Sequence, residues 1–91
     1  MNQYIIDGIT DIKGKTRETE DYLIRIGSTV EICILADGMP MFMNYVKDNQ
    51  GNSKEGCIVT SVVQSYECVE NDSLYIVNTM NSIYYIRKIT Q

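Results

Sequence analysis

Small hydroxyl and amide side chains interrupt the apolar C-terminal half of this chain at two places. Thr60 and Ser61 lie between Ile58-Val59 and Val62-Val63, while Asn78, Thr79, Asn81 and Ser82 separate the run Leu74-Tyr75-Ile76-Val77 from Ile83. Such groups both donate and accept hydrogen bonds, so with nearby tyrosines they could line a shallow polar pocket for a phosphate, a ribose or a base. The same residues also suit a structural task. Thr60 and Ser61 could satisfy a bulge, and Asn81 and Ser82 could make a turn.

Catalytic equipment is sparse. The chain contains no histidine, which removes the commonest general base and the commonest metal ligand together. Gly14-Lys15-Thr16 echoes the end of a phosphate-binding loop, but the position five residues before Gly14 is Ile9, and no helical pattern follows. Glu18, Glu20 and Asp21, like Asp7 and Asp11, fall in polar stretches where nothing would shift their acidity toward catalysis. Cys33, Cys57 and Cys68 are odd in number, show no close spacing, and lie in apolar runs. They fit neither a disulfide framework nor a zinc pattern and are expected as buried free thiols. Cys57 and Cys68 have no flanking Lys or Arg to activate them. A non-enzymatic protein that needs no cofactor is expected.

A second constellation could make contacts rather than reactions. Met39 lies in a turn at Ala36–Pro40, with Met41, Phe42 and Met43 directly after it, and flexible thioethers beside an aromatic ring form adaptable contact surfaces. Core filling accounts for one parity of that run. The other parity needs a cover, and a subunit or partner interface would supply one.

The elements that position these groups read as strands. Gly56–Ile89 holds three runs dense in Val, Ile, Tyr and Thr, separated by Asn71-Asp72-Ser73 and by Thr79-Met80-Asn81-Ser82, which is the pattern of an antiparallel meander. Upstream, Asp7-Gly8 either turns a hairpin or marks a bulge in one bent strand. Gly14–Asp21 is a polar loop in which Thr19 could open a single helical turn. Tyr22–Ile26 reads as a short strand ended by Gly27. Thr29–Leu35 follows with Val30, Ile32 and Ile34 on its core face, then Met41–Asp48, and then the polar connection Asn49–Gly56. The hydroxyl pair at Thr60-Ser61 should bend a long strand and help the sheet curl. Residues 1–91 are expected to form one all-β domain, a small curled meander or half-open SH3-like barrel of five to seven strands.

Residues 26 to 86 resemble a set of small, uncharacterised β-rich proteins of Gram-positive bacteria and their phages. The resemblance rests on Ile26-Gly27-Ser28, Gly38-Met39-Pro40-Met41, Gly56 with Thr60-Ser61-Val62-Val63, and Asn78-Thr79-Met80-Asn81-Ser82-Ile83-Tyr84. It implies a non-enzymatic protein of a phage or mobile element and carries no activity with it. Proteins of that setting often sequester a nucleotide signal, inhibit a host enzyme by contact, or serve as minor structural parts.

Charge and hydropathy narrow the partners. Twelve acidic against eight basic residues give a net charge of −4, without the clustered cationic face that duplex nucleic acid requires. No stretch is apolar for the roughly 20 residues a membrane-spanning helix needs, and the N-terminus has no secretory pattern, so a cytoplasmic location is expected. A hydrophobic share of 44% is generous for 91 residues whose strands are apolar on both faces, which leads us to expect a homo-oligomer. The leading expectation is a binding protein holding a small nucleotide-type ligand at Thr60, Ser61, Asn78, Thr79, Asn81 and Ser82. The alternatives are a module that engages a host protein through the Met39–Met43 surface, or a minor assembly protein.

Overall fold

A computed structural model describes residues 2–89. Six antiparallel strands form a closed barrel: β1 (Tyr4–Thr10), β2 (Thr29–Ile34), β3 (Pro40–Lys47), β4 (Cys57–Val69), β5 (Leu74–Thr79) and β6 (Ile83–Lys88), each paired with its neighbours in sequence and β6 returning to β1. One helical turn, α1 (Glu20–Leu23), lies between β1 and β2. The expected all-β meander is thus present as a full ring.

Alternation along the strands fills the interior. Tyr4, Ile6 and Ile9 of β1, Val30 of β2, Met41 and Met43 of β3, Ile58 and Val63 of β4, Val77 of β5, and Tyr84 and Ile86 of β6 are the buried apolar residues. Register shifts in several strand pairs adjust that alternation to a curved sheet. In β1 the register against β6 shifts between Ile6 and Gly8, so Asp7-Gly8 is a bulge inside one strand, not a hairpin. Asp7 is thereby aimed outward to Arg87, whose Nε lies 2.7 Å from its carboxylate.

The long β4 is shared by two neighbours. Its first half pairs with β3, from Asn44↔Cys57 to Pro40↔Val62, and its second half pairs with β5 from Val63↔Thr79 onward. The buried face changes parity between Thr60 and Val63, as the hydroxyl pair in this strand led us to expect. A strand that leaves one partner for the next at a bend is how a small sheet turns a barrel corner.

Several sequence expectations need correction. Tyr22–Ile26 is not a strand: Glu20–Leu23 is helical, and Gly27 completes the turn with a φ of +87°. Tyr22 and Ile26 both pack on the core, and their spacing of four puts them on one helical face. In β2, Ile34 is exposed and Ile32 only half-buried, because the register against β3 shifts between Ile32 and Ile34 and rotates the strand end out of phase. The cysteines are not buried either. Cys33 and Cys57 are exposed and Cys68 is half-buried, since each falls on the outward parity or at a strand end.

Two loops share one construction. Asp11-Ile12-Lys13-Gly14-Lys15 and Asp48-Asn49-Gln50-Gly51-Asn52 each begin with an aspartate whose Oδ1 accepts two backbone N–H groups, those of Lys13 and Lys15 in one and of Gln50 and Asn52 in the other, all at 2.9 Å. The glycine takes φ of +90° or +85°, a conformation that side-chain-bearing residues avoid. Single bridges, Thr10↔Thr16 and Lys47↔Ser53, close the two loops alike.

Candidate functional site

The hydroxyl and amide residues singled out in the sequence do converge. The hand-over point of β4 lies against the β5–β6 turn, where the Ser61 hydroxyl accepts the Asn81 N–H at 3.2 Å and the Val62 carbonyl accepts the Met80 N–H at 3.0 Å. Thr60 is buried. Its Oγ1 accepts the Met41 N–H at 3.0 Å beside the β3 register shift and donates to the Ser61 carbonyl at 2.7 Å. Thr79 is also buried, donating to the Ser82 carbonyl at 2.9 Å and accepting the Ser82 N–H at 3.0 Å. Asn78 is half-buried and pairs with Ser65 and Ile83 across the sheet. The barrel's own backbone engages the hydroxyls of Thr60, Ser61 and Thr79. The Ser82 hydroxyl, buried in the turn, points instead to the Tyr22 phenol at 3.5 Å.

That contact leads to side chains that sequence reasoning missed. Arg17 precedes α1 and Arg25 follows it, and both guanidinium groups stand over the Tyr22 ring, with Cζ at 5.1 and 5.4 Å from its centroid. Arg17 Nη2 also donates to the Asn81 carbonyl, and Arg25 Nη1 donates to the Tyr84 hydroxyl at 2.8 Å. Burial pushes the Tyr84 phenol above its ordinary acidity range, against the opposing pull of the Arg25 charge and hydrogen bond. The only sequence signal was two arginines spaced around one tyrosine. Their partners, Asn81 and Tyr84, lie far along the chain.

The methionine-rich run divides by parity. Met41 and Met43 are wholly enclosed in the barrel and offer nothing to a partner, which corrects their assignment to an interface. Met39 and Phe42 remain at the surface. Strand register extends Phe42 into a row, because it faces Ile34 on β2 and Val59 on β4. These three side chains are 38%, 40% and 46% exposed, so an apolar stripe crosses three adjacent strands on the outside of the barrel. Beside it, β2 pairs with β1 only at Tyr4↔Val30 and Ile5↔Thr29. Past Val30, β2 therefore has a strand partner on the β3 side alone among the described residues.

Among the described residues, no group of three or more His, Cys, Asp and Glu side chains could hold a metal ion. Among those same residues, no helix is long and apolar enough to cross a membrane. No protein-family model matches the chain, and neither curated proteins nor solved structures yield a significant match.

Proposed function

We propose that this protein is a non-enzymatic binding module that works by covering apolar surface with the outer face of β2, β3 and β4, and that its first occupant is a second copy of the chain. The observation that carries this reading is the Ile34–Phe42–Val59 row, three neighbouring apolar side chains left in water on a sheet whose interior is already filled. Water contact with such a row is unfavourable by about 25 cal/mol per Å2 of apolar area, and apposition to a like row removes it. The half-open end of β2 adds backbone donors and acceptors next to Ile34, which suits an isologous, strand-to-strand approach of two copies. A catalytic role lacks matching support: the hydroxyls of Thr60, Ser61 and Thr79 hold the barrel together, and no histidine is present. The sequence resemblance adds a phage or mobile-element setting to this reading.

Sedimentation equilibrium decides the matter. The wild-type protein should sediment as a dimer or larger assembly, and F42E or V59E should sediment as a monomer with an unchanged circular dichroism spectrum. A wild-type protein that stays monomeric at its highest soluble concentration refutes the reading.

A further inference from the structure

Two arginines flank α1, on either side of the acidic residues Glu18, Glu20 and Asp21. Arg17 and Arg25 lean on the same Tyr22 ring, and the Tyr84 phenol feels the charge of both, with that of Arg25 the stronger. Neither is in an ion pair among the described residues, where the salt bridges are those of Arg87 with Asp7 and Glu70. The nearest carboxylates feel these charges without closing on them: Asp11, held by two N–H groups of its own loop, senses Arg17, and Asp21 senses Arg25, yet neither forms an ion pair with its arginine. A guanidinium has five N–H donors, and each of these two makes one hydrogen bond among the described residues. Arg17 Nε is enclosed and has no acceptor among the described residues. Two guanidinium groups on one ring, each without an ion pair and with spare donors, leave a hydrogen-bonding capacity that an oxyanion within reach of both would use.

We propose that Arg17 and Arg25, flanking α1 and converging on Tyr22, form a two-pronged binding site for a phosphate-type oxyanion. The Tyr22 phenol, which accepts the buried Ser82 hydroxyl at 3.5 Å, supplies a neutral O–H at its margin. Planar guanidinium groups match the spacing of phosphate oxygens, whereas a monovalent spherical anion would leave most of their donors unused. The site is separate from the β2–β4 face and does not depend on self-association.

The test is an NMR titration of the full chain with inorganic phosphate, pyrophosphate and adenosine monophosphate, each at ionic strength held constant with sodium chloride. The expected result is a saturable shift of the Arg17, Tyr22 and Arg25 signals, with R17Q and R25Q each weakening binding by about tenfold or more. R25K keeps the charge but not the fork. It should bind more weakly than wild type, and it serves in place of R25Q should that variant lose its native spectrum. Preference for adenosine monophosphate over inorganic phosphate would assign the site to a nucleotide's phosphate, and equal binding to a simple oxyanion. Shifts that never saturate, or affinity unchanged in R17Q and R25Q, would overturn the site.

Discussion

Thr60 is the side chain on which the corner of the barrel turns. Its hydroxyl is the acceptor for the Met41 N–H beside the β3 register shift, in a place where no water replaces it because Thr60 is only 7% exposed. Valine has nearly the shape of threonine without the oxygen, so T60V isolates the hydrogen bond from packing. We expect T60V to destabilise the fold by about 1–3 kcal/mol, the cost of leaving a buried donor unmade, seen as a lower urea midpoint with unchanged slope. S61A should lose less, about 1 kcal/mol or under, since the Asn81 N–H it serves is exposed and can turn to water. Strain is the other residue-level quantity. Glu70, Asn71 and Asp72 take φ of 53°, 56° and 66° in succession, a left-handed turn built without glycine. Asp72→Gly removes a β-carbon from that conformation and should stabilise the protein by roughly 0.5 kcal/mol, once the greater freedom of glycine in the unfolded chain is subtracted. Thermal unfolding of D72G against wild type measures it.

The twin aspartate loops show what an element of five residues can contribute by itself. Hydrogen bonds from the Lys15 N–H foremost hold the Asp11 carboxyl below its ordinary value of 3.8, and those from Asn52 and Gln50 do the same for Asp48. A folded-state pKa below the unfolded one means the loops are fully supported above about pH 4 and lose that support as pH falls through the lowered values. The Lys13, Lys15, Gln50 and Asn52 amide shifts should therefore move together on acidification below pH 4. In D11N, where the amide oxygen still accepts but cannot titrate, the first pair should stay still while the second moves; coincident movement of all four in D11N would refute the assignment. These loops also mark how far sequence can be read. Strand count and the turn at Asn81-Ser82 were legible because apolar alternation and turn residues act over two to four positions. Tyr22–Ile26 was not, since five apolar-rich residues satisfy a period of two and a helical face alike, and packing of Tyr22 and Ile26 on the core decides between them. The outward turn of Ile34 hangs on a register shift against β3, and the meeting of Arg17 with Asn81 on closure of the whole ring. Neither leaves a local mark in the chain.

At the scale of the whole molecule the ring is uneven, and its weakest join is predictable. β1 runs along β6 from Tyr4↔Lys88 to Thr10↔Ile83, whereas it meets β2 at only two residue pairs. Two further backbone bonds, Ile6 N–H to the Ser28 carbonyl at 3.1 Å and Gly27 N–H to the Ile6 carbonyl at 2.8 Å, complete that seam. Opening it breaks few hydrogen bonds and leaves the β3–β4–β5–β6–β1 sheet paired throughout, so it should cost much less than global unfolding. Native-state hydrogen exchange is expected to show the Ile6 and Gly27 amides exchanging through a low-energy opening that depends little on denaturant. Amides of β4, β5 and β6 should exchange only with global unfolding. Equal protection on both sides of the ring would mean that the α1 turn, through Tyr22 and Ile26 against the core, clamps the seam shut. Should a second copy dock along the free end of β2, the same opening would become slower as protein concentration rises, because the docked state holds β2 in place. Exchange at Ile6 and Gly27 that is fast and independent of concentration would separate the seam from the proposed contact face.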